Sequence, residues 1–375
     1  MVHRRVHYID WLRVLAVLLL FPFHTGRVFN FGEPFYAKSA IESVPLAYLI
    51  GFIGQWHMPL LFFLAGMSSF FALKRRTLGQ YAKERTSRLL VPLLFGVFVI
   101  VPPQTWYGAR TNAGYGGSFL SYVTSSAFWS VDNLFGRGDY FGGLSPAHLW
   151  FILFLWVISL AAIPLLAYSR RGQGADRLGR LAGRLARPAS WAVVPLVLVI
   201  ADALPDVGGK NPFFFLAFFA LGFVVMHDER FAEQAERFRA PALAAGLGLA
   251  VATVALWPLR ASLPDPSVGV GLLAYVQMLG AWLAIVGLIG YGRAYLDRPS
   301  ATLGYLGESS YPVYILHQTI IVVAGFYLVA VFPHPALSWP VLIALSAALT
   351  FALYELVRRV DALRVVFGLR PLPKA

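Results

Sequence analysis

The chain's first chemical signal is an arginine and a histidine eleven residues apart in one apolar run. The stretch 8–29, YIDWLRVLAVLLLFPFHTGRVF, carries Arg13 near its start and His24 well inside it. On an α-helix eleven steps make about three turns plus roughly 20°, so both side chains share a face and His24 lies roughly 16 Å deeper. Arg27, three residues on, falls near the same stripe. Ionisable groups in hydrocarbon are costly, so such a stripe should face a protein interior or a wet cavity. A neutral imidazole there can remove a proton from a hydroxyl nucleophile. The plainer alternatives are a histidine hydrogen-bonded to a neighbouring helix and an arginine snorkelling to lipid phosphate, with Asp10 as its partner on the helix surface. Pro22 removes one backbone hydrogen bond just before His24 and is expected to bend the helix there.

Other candidates lie further along. Arg85 and Arg88, in YAKERTSRLLVP, are three apart on a predicted helix and offer multi-donor contact to phosphate; anchoring to anionic lipid is the competing use. His317, in SSYPVYILHQT, is a second histidine within an apolar run, with Tyr314 on its face and Glu308 at the start of the same span. His57 and His148 open two more apolar runs; His317 ranks above His57, and both rank below His24. No HExxH spacing or clear carboxylate partner supports a metal site, and none is expected. Glu355 with Arg358 and Arg359 reads as a surface ion-pair set. The chain has no GxSxG, no GxxxxGK[ST] and no dinucleotide-binding GxGxxG, which disfavours serine-elbow hydrolases and ATP-driven pumps.

These residues must be positioned by membrane-spanning helices. The chain is 58% apolar and only 13% charged over 375 residues, which is right for a polytopic membrane protein. Apolar segments begin near Leu12, Pro45, Leu89, His148, Ser190, Asn211, Ala240, Gly269, Ser309 and Trp339. About ten transmembrane helices in an all-α fold are therefore expected, with residues 1–375 forming a single membrane domain and no separate soluble one. The fifth and sixth segments are short. The N-terminal run lacks a small-residue cleavage pattern and reads as a retained first span rather than a signal peptide. The net charge of +13 follows topology rather than nucleic-acid binding: 25 of the 31 Lys and Arg fall in alternate loops and ends. The other six are Arg27, Lys38, Arg110, Arg137, Lys210 and Arg260. The positive-inside rule then places both termini in the cytoplasm. The absence of cysteine excludes a disulfide and an acyl-cysteine.

Two connections stand out. Arg177, Arg180, Arg184 and Arg187, with Leu178, Leu181 and Leu185 beside them, suit a short amphipathic helix on the inner leaflet; a solvated basic loop is the alternative. Gln104–Ala147 reads as the longest external connection, rich in Gly, Ser and aromatics such as Trp106, Tyr107, Tyr115, Trp129 and Tyr140. Those rings can stack on sugars or form an interfacial belt.

Several stretches together resemble the acyltransferase-3 family of membrane enzymes. YIDWLRVLAVLLLFPFH is similar to its first span, with the arginine, ten intervening residues and then the histidine. WHMPLLFFLAG resembles its second span, RTSRLLVP its cytoplasmic Arg-x-x-Arg segment, and HLWFILFL and SYPVYILHQ its later signatures. YELVRRVDALRVVFGLRP, taken with FPFHTGRVF, resembles more narrowly a glucan-biosynthesis branch, associated with succinylation of osmoregulated periplasmic glucans. The resemblance runs over essentially the whole chain, without the extra soluble esterase-like domain some members append.

The resemblance implies transfer of an acyl group, acetyl or succinyl, from cytoplasmic acyl-CoA to a carbohydrate hydroxyl on the outer side of a bacterial-type cytoplasmic membrane. Arg13 and His24 match its arginine–histidine motif, Arg85 and Arg88 its Arg-x-x-Arg segment, and His317 its late-span histidine. The residues fit this chemistry: the internal side is basic, as a polyanionic CoA requires, and His24 stands where a thioester from inside can meet a hydroxyl from outside. His317 or Arg13 is then the donor to the oxyanion, and an acyl-histidine intermediate is the alternative to direct transfer. A transporter or flippase for an amphiphile or glycan is the competing reading. Membrane lipid and a carbohydrate acceptor are the expected partners, and nucleic acid is not; the oligomeric state is left open.

Overall fold

Apolar runs that must satisfy every backbone N–H and C=O without water form helices, and the computed structural model is built of them. It describes residues 6–130 and 143–372; Arg4, Arg5, Arg137, Tyr140 and Lys374 lie outside this range. Six helices are long and apolar enough to cross a membrane: α1 (His7–Arg27), α2 (Val44–Leu73), α3 (Leu78–Ala113), α10 (Val268–Leu296), α11 (Ala301–Val331) and α12 (Pro335–Val357). Between α3 and α10 lie α4 (Ala147–Ala161), α5 (Gly172–Leu185), α6 (Pro188–Asp202), α7 (Pro212–Val225), α8 (Arg230–Arg237) and α9 (Arg239–Ala255). A short α13 (Asp361–Val366) follows α12. Among the described residues the only extended pairings are isolated bridges, Asn30–Ser43 and Val207–Lys210.

Each of the ten apolar segments read from the sequence falls on a helix, but fewer reach span length. The pairs α5–α6 and α7–α8 reach it only if each is counted as one element, bent by 89° and 103°. That gives six to eight candidate spans, with α4 and α9 apolar but shorter.

Near the bend expected in α1 the helix has a one-residue break. Pro22 has no N–H to give the Leu18 carbonyl, and the helix is interrupted between Leu18 and Leu20. In α2 the break falls between Gly54 and His57, and Gln55 there gives its amide to the Ala250 carbonyl of α9 at 3.0 Å. Below the break α2 meets α7 with backbones almost touching. A Cβ on Gly66 would come within 2.0 Å of the Phe219 carbonyl oxygen, and one on Gly222 within 2.0 Å of that of Phe63. Small residues let membrane helices approach this closely, and this pair fixes the height of His57.

The segment expected as an external connection from Gln104 is a correction. Gln104–Ala113 continues α3, which ends at Gly114 in the left-handed conformation. Two polar residues there pair with other elements: Asn112 donates to the Phe35 carbonyl at 3.0 Å, and the Tyr107 and Tyr327 hydroxyls are bonded at 2.8 Å. The basic amphipathic helix exists as α5, but Leu178, Ala182 and Leu185 are buried against α7 and α8 and only Leu181 stays exposed.

Candidate active site

Two cavities sit end to end along α1. The first, about 450 Å³, is lined by four guanidiniums, Arg13, Arg76, Arg85 and Arg88, and by the carboxylates of Glu84 and Glu308. The second, about 510 Å³, is lined by His24, His57 and His148, with Arg27, Lys210, Glu33 and Gln318. We call them the basic and the histidine cavity.

The basic cavity is positioned by the start of α3. Thr77 accepts from the Gln80 N–H at 3.2 Å and Gln80 returns a bond to the Thr77 N–H at 2.9 Å, a reciprocal cap that starts the helix cleanly. One to two turns later Arg85 bonds the Ser69 hydroxyl at 3.0 Å and stacks over Tyr81 at 5.2 Å. Arg88 and Arg76 share Glu84. Arg13 bonds Asp10 at 3.1 Å, as its spacing predicts, and Ser68 at 2.7 Å. The chain after α12 closes another wall. Arg364, 8% exposed, bonds Glu308 at 3.1 Å and the Arg358 carbonyl at 2.9 Å, holding Gly368 and Leu369 against the cavity. Glu355 pairs with Arg358 and Arg359 beside it.

The histidine cavity is built around a stitched pair of segments. His148 donates from Nε2 to the Ile315 carbonyl at 3.0 Å, and His317 donates from Nδ1 to the Tyr314 carbonyl at 2.6 Å. The Tyr314 hydroxyl donates to the His148 carbonyl. A carbonyl only accepts, so these bonds fix both tautomers. His148 Nδ1 and His317 Nε2 are left as buried lone pairs without partners. His24 Nδ1 is likewise buried and unpartnered, and its ring centroid lies 5.1 Å from that of His317. The His148 ring is 5.2 Å from His317 on another side. Ala147, before His148, adopts φ 44°, a left-handed conformation that costs a non-glycine residue about 1–2 kcal/mol. That turn carries His148 into the site. His57 is occupied elsewhere, donating from Nε2 to the Ala16 carbonyl at 2.6 Å.

Arg13 and His24 therefore share a helix face but open on different cavities, and Arg27 joins His24. His317 lines neither cavity; it is fully buried behind His24. Among the described residues no side chain lines both cavities, so the expected direct approach to His24 from the basic side is interrupted. The partition is thin. Val17 and Leu20 on α1, Leu61 and Met58 on α2, and Tyr314 and Gln318 on α11 face opposite cavities. Three or four residues of helix is on the order of 5 Å.

Sequence reasoning noted His148 without assigning it a role, and it missed Gln318 and Lys210 as site residues. The histidine was visible at the head of HLWFILFL, but its contact with His317 joins residues 169 positions apart. Lys210 sits on a turn set by Gly208 and Gly209, with φ of 61° and 70°, and burial beside Arg27 holds its ammonium below the usual lysine range.

The acyltransferase domain of the acyltransferase-3 family matches residues 6–355. The chain is 24% identical to "Glucans biosynthesis protein C" of Salmonella paratyphi A and of Salmonella agona (strain SL483), over 98% of this chain and 95% of each relative. It is 23% identical to the protein of that name from Escherichia coli O139:H28, over 99% and 96%. No solved structure matches it. With the apolar helices around the two cavities, these matches make the chain an acyl-group transferase that belongs to the acyltransferase-3 family of membrane proteins.

Proposed function

We propose that this enzyme moves an acyl group from acyl-CoA, bound in the basic cavity from the cytoplasm, to a carbohydrate hydroxyl held in the histidine cavity on the outer side. The observation that carries this reading is the division of one helix between two cavities. Arg13 faces a cavity of four guanidiniums and His24 a cavity of three imidazoles, about one helical turn of protein apart. The relatives' name, which speaks of glucans, supports a glucan as acceptor; acetyl or succinyl as the group moved is taken from the family resemblance alone. The reading includes about ten membrane crossings, with α4 and α9 counted, and both termini in the cytoplasm of a cell with a bacterial-type inner membrane.

Arg85 and Arg88, with Arg13 and Arg76, bind the phosphates of CoA; side-by-side guanidiniums are suited to such multi-donor contact. The thioester reaches the partition at Tyr314. His24 removes the proton from the acceptor hydroxyl, whose oxygen forms the new ester bond as the carbon–sulfur bond breaks. The proton then passes from His24 to the departing CoA thiolate, so the imidazole ends as it began. His317 positions His24: its Nε2 lone pair is available to a proton on His24 Nδ1, leaving Nε2 of His24 as the base. A neutral His317 with Nδ1 bonded to Tyr314 cannot also donate to an oxyanion from Nε2. The Gln318 amide, which lines the same cavity, serves as that donor.

The test is purified protein supplied with labelled acyl-CoA and a glucose oligosaccharide. Ester-linked label is expected with the natural chain and a loss of about 10²–10⁴-fold with His24→Ala. Undiminished transfer by that variant would remove His24 from the mechanism.

A further inference from the structure

The histidine cavity contains two cations in different circumstances. Arg27 is ion-paired with Glu33 and also bonds the Pro34 carbonyl at 3.2 Å. Lys210 lines the same cavity, partly buried, with its ammonium 5.5 Å from the centroid of the Trp150 ring. Among the described residues no carboxylate lies within ion-pair distance of it; Glu33 and Asp206 act only from further away. A cation held out of water without a counter-ion is costly, and such a site is relieved by a ligand that brings the negative charge.

The position is rigidly built. Gly208 and Gly209, both at positive φ, form the two-residue turn that lets Val207 and Lys210 exchange backbone hydrogen bonds at 2.8 and 3.2 Å. The next residue, Asn211, gives its amide to the Asp202 and Leu204 carbonyls at 2.8 and 2.7 Å. Its side-chain oxygen caps α7 through the Phe213 and Phe214 N–H groups. The loop is tied at both ends and presents one ammonium to the cavity.

We infer that Lys210 is a specificity residue that recognises a carboxylate or phosphate on the substrate in the histidine cavity. The inference rests on the acyl-transfer reading for what that substrate is, and it has two possible sources for the anion: the acceptor carbohydrate or the acyl group itself. In either case the ammonium pairs with the anion while Trp150 holds it from behind.

The test compares the natural chain with Lys210→Gln and Lys210→Arg in detergent. Equilibrium binding is measured for a neutral glucose trisaccharide, the same trisaccharide carrying a phosphate monoester, uncharged methyl acetate and the singly charged monomethyl succinate. The anionic member of one pair should bind about ten- to a hundredfold more tightly than its neutral or smaller partner. Lys210→Gln should erase that preference and Lys210→Arg should retain most of it. A preference within the trisaccharide pair assigns the anion to the acceptor, and one within the ester pair assigns it to the acyl group. Equal effects of Lys210→Gln on all four probes, or none, would overturn the proposal. Lys210-dependent binding without acyl transfer from any donor would leave the anion site standing and defeat the acyl-transfer reading instead.

Discussion

The Tyr314 hydroxyl donates a hydrogen bond to the His148 carbonyl, and that bond crosses from the lining of one cavity to the lining of the other. It is buried and is joined by the reverse stitch from His148 to Ile315 at 3.0 Å. The two cavities are held apart by a specific clamp as well as by packed apolar side chains.

Removing the clamp should loosen the partition. Tyr314→Phe leaves the His148 carbonyl without its donor, at a cost of about 1–3 kcal/mol for a buried group. The expected result is a lower thermal midpoint in detergent together with faster hydrolysis of acyl-CoA when no acceptor is present. A variant with a lower midpoint and unchanged hydrolysis would make the bond merely structural.

The basic cavity should control donor affinity. Arg85→Ala and Arg88→Ala are each expected to raise KM for acyl-CoA about ten- to a hundredfold with little change in kcat, the pattern of lost ground-state binding. Steady-state kinetics at saturating acceptor checks this. Arg364→Ala should act the same way more weakly, because it releases the wall formed by Gly368 and Leu369 rather than touching the donor.

The pH dependence of the histidine cavity should follow Lys210. Burial and the nearby Arg27 lower its pKa, while Glu33 and Asp206 raise it, with a net lowering. The unfolded chain therefore holds the lysine proton to higher pH than the folded one, so the cost of keeping this charge is present at neutral pH and relieved as pH rises through the lowered value. Lys210→Gln should not reduce the thermal midpoint. Anion binding should decline as pH rises through a point below the ordinary lysine value of about 10.4, and Lys210→Arg should flatten that decline. His24, His57 and His148 line the same cavity, and their titration is separated by comparing the two variants.

The local part of this architecture was legible in the sequence and the long-range part was not. Spacing placed Arg13 and His24 on one face because a helix repeats with fixed geometry. It did not reveal that a turn of protein from α1, α2 and α11 comes between their cavities. Asp10 beside Arg13 was readable as an i,i+3 pair, and Glu355 with Arg358 and Arg359 likewise. The extension of α3 past Gln104 was hidden because polar residues that read as loop, Tyr107 and Asn112, bond residues distant in the chain. Lys210 looked like one of six stray cations; only the fold shows it facing Trp150 inside a cavity.

Sidedness tests the central claim most directly. In sealed vesicles with the protein inserted in one orientation, labelled acyl-CoA is supplied on the face of Arg85 and Arg88 and a glucose oligosaccharide on the opposite face. Ester-linked label should appear on the oligosaccharide, and exchanging the two compartments should abolish it. Product formed only when donor and acceptor share one compartment would contradict transfer between the two cavities.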